Sequence, residues 1–318
     1  MNIETTNIKE KYLQQLSKIV INSYKEEIKS IAYLPFEDNL KKEIEKYLID
    51  LIKNGSGVVA IENNELIGFL AGYKIEEFWG DCKGIYCPDF GHGVKERNKK
   101  KIYQLLYKNA ANKWVNEGYT HHALTIYAHQ KNVIDIFFWL GFGLRCIDAI
   151  RKVNILENIN KDIIITKMKR SNISKLAEIQ DKLHNYFSKS PLFMPVGKQD
   201  PEEYLNNWLK GNNRHIWAAS YENQIVGFMK IEPEGERIIT KNKKMMNITG
   251  AYVKKEYRNL KIGVTLLNSI QNWLFENNYN LCGVDYESFN ISGSNFWNNF
   301  FTPYTYSLVR RIDERVLS

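Results

Sequence analysis

The chain has 318 residues, 44% apolar and 25% charged, with 44 basic against 36 acidic side chains and a formal charge of +8. This composition excludes a disordered or fibrous chain and leaves room for two cores of ordinary size. No run approaches the roughly 18 apolar residues of a membrane span, and the opening MNIETTNIKEKY lacks the basic-then-apolar order of a signal peptide, so a cytoplasmic protein with no membrane partner is expected.

In chain order, the pattern predicts a helical N-terminal region, then two strands joined by a turn at Glu62-Asn63-Asn64, and a third strand. A long helix follows, with Ile102, Leu105, Leu106, Ala110 and Trp114 on one face. A strand, a short aromatic helix around Phe138-Trp139 and a last strand reaching Arg151 complete this half.

The second half repeats that order. AIENNELIGF at residues 60–69 reads like ASYENQIVGF at 219–228, and Gly68 and Gly227 stand 159 residues apart. Trp114 and Trp273 share that spacing, as do Arg151 and Arg310, while Phe138-Trp139 matches Phe296-Trp297 at 158. The second long helix carries Ile262, Leu266, Ile270, Trp273 and Leu274 on its core face. A polar gap at residues 157–162 then separates domains of residues 1–156 and 163–318, each α/β with a twisted sheet.

The basic excess is mostly dispersed. Its two tight runs, Lys99-Lys100-Lys101 and Lys241 with Lys243-Lys244, are not interleaved with base-stacking aromatics, so they read as solvated faces and nucleic acid is not an expected partner. Cys82, Cys87, Cys146 and Cys282 show none of the paired spacings of a zinc site and read as reduced, packed thiols. His121, His122 and His129 have no matched ligand spacing, and no metal is expected.

The segment at 251–267, AYVKKEYRNLKIGVTLL, passes from a strand through Arg258 and Gly263 straight into the second long helix. A helix start offers unpartnered N–H groups and a positive dipole end, and glycine admits a phosphate close to the backbone.

This segment resembles the phosphate loop of the GNAT superfamily of acyl-CoA-dependent N-acyltransferases, commonly Arg/Gln-x-x-Gly-x-Gly/Ala; here it reads Arg258-Asn259-Leu260-Lys261-Ile262-Gly263, then Val264-Thr265. The hairpin ending Ile225-Val226-Gly227-Phe228 is similar to the family's second and third strands. Gly283-Val284-Asp285-Tyr286-Glu287, with Asn290, Ser294, Phe296 and Trp297 beyond it, is similar to the fifth strand and the helix beside the pantetheine arm. The resemblance implies two tandem GNAT-like domains, each a mixed, twisted, mostly antiparallel sheet flanked by helices. It also implies transfer of an acyl group, expected to be acetyl from acetyl-CoA, to the primary amine of a small molecule.

Under that resemblance the loop from Arg258 to Thr265 holds the diphosphate, the strand edge at Tyr252 and Val253 pairs with the pantetheine amides, and Asn290, Ser294 and Trp297 flank the arm. Asp285 and Glu287, two apart on a strand and so on one face, are the candidate bases. The competing reading makes both of them ordinary surface charges. Glu232, Glu234 and Glu236 are candidates for a negative rim.

Two departures stand out. Lys261 replaces the loop's first glycine, and Trp297 sits where many members carry a tyrosine that protonates the leaving thiolate. Indole donates no such proton at neutral pH, so Tyr304, Tyr306 or water takes that role. The first half reads Val94-Lys95-Glu96-Arg97-Asn98-Lys99-Lys100-Lys101, with no glycine at the helix start and a carboxylate in the loop, and is expected to have lost cofactor binding. The alternative to an enzyme is a non-catalytic tandem module that senses CoA or a metabolite.

Overall fold

The computed structural model describes residues 3–95, 98–157, 159–197, 199–235 and 237–317. They form two compact units, Met1–Ile147 with Pro303–Ser318, and Asp148–Thr302.

In the first unit β1 (Ile3–Asn7) precedes α1 (Leu13–Ser30) and α2 (Leu40–Asn54). Leu16 and Val20 of α1 and Ile44, Leu48 and Leu51 of α2 recur at threes and fours and are buried. β2 (Gly55–Glu62) and β3 (Glu65–Ile75) are joined at Asn63-Asn64, with φ of 51° and 63°. Two successive left-handed residues match the right-handed twist of a hairpin, and asparagine tolerates that conformation well. Then come β4 (Gly84–Cys87), β5 (His92–Val94), α3 (Lys99–Asn116), β6 (His121–Tyr127), α4 (Lys131–Trp139) and β7 (Gly143–Lys152), which spans the division between the units.

The second unit carries β8 (Ile164–Lys167), α5 (Ala177–Phe187), α6 (Pro201–Trp208), β9 (His215–Tyr221), β10 (Gln224–Pro233), β11 (Met245–Val253), α7 (Ile262–Glu276), β12 (Leu281–Glu287) and α8 (Ile291–Trp297). Its hairpin turn, Glu222-Asn223, repeats the left-handed pair with φ of 47° and 62°. β13 (Thr302–Arg311) is followed by a short 3-10 turn at Glu314–Leu317.

Each sheet is mixed and mostly antiparallel. The first unit's strands run in the order β1-β2-β3-β4-β6-β13, with β5 also on β3, and only β4 and β6 pair in parallel. In the second unit the order is β8-β9-β10-β11-β12, with β11 and β12 as the parallel pair.

The repeat suggested a division at residues 157–162 that leaves the last strand with the second half. The compact units instead take Pro303–Ser318 into the first, because β13 pairs antiparallel with β6 from Thr305↔Tyr127 to Arg311↔His121. Local pattern announces a strand but not the edge it joins.

Packing also refines the repeat. A Cβ on Gly68 would stand 3.2 Å from Ile102, and one on Gly227 would stand 3.2 Å from Ile262, so each long helix lies against a strand glycine at the same point. Counted from there, Ile102, Leu106, Ala110 and Trp114 correspond to Ile262, Leu266, Ile270 and Leu274, all buried. Trp114 therefore corresponds to Leu274. Trp273 is turned away, 4.5 Å from the His215 ring. Likewise Trp297 packs edge-on against Phe301 as Phe137 does against Phe142, whereas Trp139 is 76% exposed.

Candidate active site

The second unit's sheet opens at one place. The β10–β11 register passes from Lys230↔Gly250 to Ile231↔Ile248, leaving Thr249 as the extra residue of a β-bulge. A bulge bends its strand. The parallel pairing of β11 with β12 stops at the residue before it, Ile248↔Val284. Beyond that point residues 250–253 pair with β10 alone among the described residues, and 285–287 run on without β11.

The strand period puts Asp285 and Glu287 on one face, and both are half-buried while Tyr286 between them is buried. Tyr286 donates its hydroxyl to Asn298 Oδ1 at 2.6 Å. Asn247, buried, donates Nδ2 to Asp285 Oδ1 at 3.1 Å and braces that carboxylate at the start of the opening.

Lys261 is the N-cap residue of α7; its φ of 59° is left-handed and its side chain makes no capping hydrogen bond. The loop thus keeps the conformation that glycine favours. With no side-chain cap, the N–H groups of Ile262, Gly263 and Val264 have no intrahelical acceptor. A Cβ on Gly263 would stand 3.0 Å from Phe296 Cε2, so only glycine lets the α8 ring lie against this turn.

Arg258 donates Nε to the Val253 carbonyl at 3.2 Å and Nη1 to Ser292 Oγ at 3.4 Å. Its guanidinium lies over the rings of Tyr186 and Tyr252, 5.2 and 5.8 Å from their centroids. Tyr186 in turn donates to Asn290 Oδ1 at 2.8 Å, and that oxygen also caps α8 by accepting from Gly293 N at 3.1 Å. Arg258, Tyr252, Val253 and Asn290 are thus one connected group. Tyr186, on α5, is the link that sequence reasoning missed, since it lies 104 residues from Asn290.

Other expected residues face elsewhere. Thr265 donates Oγ1 back to the Lys261 carbonyl and accepts from Asn160 N, and Leu260 O accepts from Asn160 Nδ2, so both hold the incoming chain. Ile262 is buried under Gly227, Trp297 is buried against Phe301, and Ser294 Oγ turns back to the Asn290 carbonyl. Asn259 is exposed. Tyr304 is buried on β13, its carbonyl accepting from Ala128 N within the first unit, so it is not among the second unit's groups. Of the acidic rim, Glu232 is ion-paired with Arg214 at 2.8 Å, Glu234 adopts φ of 63°, and Glu236 lies outside the described residues.

In the first unit the corresponding loop is shorter. α3 starts at Lys99, three residues ahead of Ile102, whereas α7 starts on Ile262 itself, and Tyr103 takes the helical position of Gly263. Glu96 and Arg97 lie outside the described residues.

All four cysteines are free. Cys87 and Cys282 are buried, and burial pushes the Cys282 thiol up to about 12, so neither is a ready thiolate. Among the described residues one group has donor atoms close enough for a metal, Cys82, His121 and Glu314, all within 4.8 Å of one another. The Glu314 carboxylate is already held by Arg311 at 3.0 and 2.7 Å. No described helix is long and apolar enough to cross a membrane.

These features meet known proteins as follows. Residues 178–291 match the model of the acetyltransferase (GNAT) family. The second unit therefore carries a GNAT domain. Across 97% of its length the chain superposes on a GCN5-related N-acetyltransferase from Sphaerobacter thermophilus, with a TM-score of 0.61, 9% identity and 95% of that chain covered. It also resembles the GCN5-related glucosamine N-acetyltransferase region of a fungal multi-domain GH3 β-N-acetylglucosaminidase, with a TM-score of 0.56 and 11% identity. That likeness covers 97% of this chain, which spans only 38% of the fungal one. At such identities the likeness establishes the GNAT fold. No curated protein matches the sequence.

Proposed function

We propose that the second unit binds acyl-CoA, with acetyl-CoA as the expected donor, and transfers the acyl group to the primary amine of a small molecule by direct attack on the thioester. The observation that carries this reading is the bulge at Thr249, which parts β11 from β12 and leaves Asp285 and Glu287 beside a strand edge without a second partner. The residues fit the donor's chemistry. Three uncapped N–H groups at Ile262, Gly263 and Val264, with Arg258 and Lys261 adjoining, suit a diphosphate, and the edge at 249–252, short of the Val253 carbonyl that Arg258 holds, suits amide pairing by an extended arm. CoA supplies the activated carbonyl.

Asp285, held by Asn247, accepts the ammonium proton directly or through water, and Glu287 on the same face draws a cationic acceptor inward. Trp297 is buried and has no acidic proton, so the leaving thiolate takes its proton from water. Calorimetry with acetyl-CoA tests the hold, and thiol release against an amine library tests the transfer. Absence of acetyl-CoA binding to the intact chain would remove the assignment.

A second reading, a sensor that holds CoA without turning it over, is favoured by the engagement of Arg258 with Val253 and Ser292 and by Trp297 at the acid position. Saturable binding without thiol release from any amine supports the sensor.

A further inference from the structure

Lys230 on β10 is only 3% exposed, and among the described residues it has no carboxylate within ion-pair distance. Its Nζ donates to the Tyr204 hydroxyl of α6 at 2.7 Å and lies 4.7 Å from the ring centroids of both Tyr204 and Trp208. An ammonium has three N–H donors, so two find no acceptor among the described residues. The ring faces soften the burial, but a buried charge is ordinarily paired with an opposite one. The acid two residues on, Glu232, is taken by Arg214 at 2.8 Å.

The sheet register places this cation on the same face as the candidate base. Lys230 and Glu232 lie two apart on β10; Glu232 is opposite Asn247, Asn247 is opposite Gly283, and Asp285 stands two further along β12. Lys230, Asn247 and Asp285 therefore face one side of the sheet. On that side Phe228, two residues before Lys230, packs with Ile179 and Leu183 of α5 and Leu205 of α6. Lys230 itself is opposite Gly250, the residue after the Thr249 bulge, and a Cβ on Gly250 would stand 2.5 Å from Lys230 Cε. The lysine stem thus lies over β11 where that strand parts from β12, in space that only a glycine leaves open.

A second buried polar group beside this cation is incompletely matched. Gln180 of α5, 1% exposed, has one hydrogen bond from its amide, to His184 at 2.7 Å, and its Oε1 has no partner. His184 packs edge-on against the Tyr204 ring. An anionic ligand completes the set: it accepts from the two remaining Nζ donors and from the Tyr204 hydroxyl, which accepts from the lysine and still has its own proton to give.

We propose that Lys230, with Tyr204, holds a carboxylate of the acceptor, so that the amine acylated in the second unit is an amino acid rather than a simple amine. This rests on the transfer reading above and adds the acceptor's class. The site then matches both ends of a zwitterion, with Asp285 and Glu287 on β12 for the ammonium and Lys230 on β10 for the acid. Two strand spacings separate β10 from β12 by roughly 10 Å, and the lysine and aspartate side chains fill part of that span, which suits a compact α-amino acid. In the transfer the C–N bond forms as the C–S bond breaks. One ammonium proton passes to Asp285, a second passes through water to the thiolate, and the product keeps its carboxylate on Lys230.

The test is thiol release by the full chain with saturating acetyl-CoA, comparing each proteinogenic α-amino acid with its carboxamide, which keeps the amine and loses the acid. At least one amino acid should exceed its carboxamide in kcat/KM by about tenfold or more. Lys230→Met keeps an unbranched stem over Gly250 and should raise KM for that amino acid by about tenfold to a hundredfold, as loss of a hydrogen bond to a charged group does. The carboxamide's KM, kcat and acetyl-CoA binding should stay unchanged. Tyr204→Phe keeps the ring beside the ammonium and should raise the same KM by less; should Lys230→Met not fold, this variant reads the contact alone. Carboxamides used as well as the acids, or variants that move all amines alike or none, overturn the proposal and leave the transfer reading standing. If no amine releases thiol, the transfer reading fails by itself, and calorimetry of the same amino acids on the unaltered and Lys230→Met chains decides the carboxylate site. Binding lost in the variant supports it; no binding, or binding unchanged in the variant, overturns it.

Discussion

Tyr103 and Gly263 occupy the same helical position in the two units, each directly after the isoleucine that packs on a strand glycine, Ile102 on Gly68 and Ile262 on Gly227. One carries a phenol, hydrogen-bonded to His92 at 3.1 Å; the other has no side chain and lies against Phe296. The exchange Gly263→Tyr should therefore abolish acetyl-CoA binding. Displacing the Phe296 ring should also cost about 1–3 kcal/mol of stability, the usual range for overpacking. Calorimetry and thermal unfolding read the two effects separately, and undiminished binding would remove Gly263 from the cradle.

Lys261 holds a left-handed φ of 59°, which costs a residue with a Cβ roughly 1–2 kcal/mol. Replacing it with glycine relieves that strain but loosens the unfolded chain by about 0.4–1 kcal/mol, so a net gain of between roughly 0 and 1.6 kcal/mol is expected. Affinity for acetyl-CoA should fall modestly as one cation leaves. Chemical denaturation paired with calorimetry checks both signs; a loss of stability would mean that the lysine side chain contributes more than its backbone costs.

Much of this architecture is legible in sequence, and the reasons differ by element. The hairpin turns announce themselves through Asn63-Asn64 and Glu222-Asn223, because few residue types accept two left-handed positions in succession. The core stripes of α3 and α7 follow from helical period alone. Trp273, by contrast, shares the residue type and spacing of Trp114 but not its buried place, which belongs to Leu274. Asn247 and Tyr186 were invisible, since each acts on a residue 38 or 104 positions away. The bulge at Thr249 has no local mark either, because a register shift belongs to two strands at once.

Asp285→Asn and Glu287→Gln separate base from attraction. If Asp285 takes the proton, its amide should lower kcat by about a hundredfold to ten-thousandfold with little change in acetyl-CoA affinity. Glu287→Gln should act chiefly on KM for the amine. Asn247→Leu leaves both carboxylates in place but releases the Asp285 brace, so it should lower kcat by less than Asp285→Asn does, with little change in acetyl-CoA affinity. Equal, small effects from all three would return both acids to surface charges.

Removing Pro303–Ser318 should damage the first unit, although the segment follows the second in sequence. The cut unpairs β6 along seven residues and takes away Leu308, which is fully buried. Each backbone hydrogen bond lost contributes about 0.5–1.5 kcal/mol, and an uncovered strand edge invites association. Hydrogen exchange should show protection lost in β6 and retained in β10 and β11. Loss confined to the second unit would contradict the strand assignment.

His92 and His122 make stability depend on pH in a direction set by their surroundings. Burial is the main cause holding each at about 4, against 6.5 for a free histidine. The partners suit the neutral ring: one nitrogen donates to a carbonyl, Thr125 O at 2.8 Å or Tyr119 O at 3.1 Å, and the other accepts from a phenol, Tyr103 or Tyr107. The unfolded chain therefore binds protons between about pH 6.5 and 4 that the folded chain refuses. Stability is full above 6.5 and falls as acid is added, by up to about 1.4 kcal/mol per pH unit for each ring. His215 is held at about 4 by burial as well, so His122→Gln, which keeps a donor and an acceptor, should remove part of the slope in urea unfolding between pH 6.5 and 4.5 and leave the rest. A flat profile in the unaltered chain, or a slope of the opposite sign, would show that these rings are charged in the folded state.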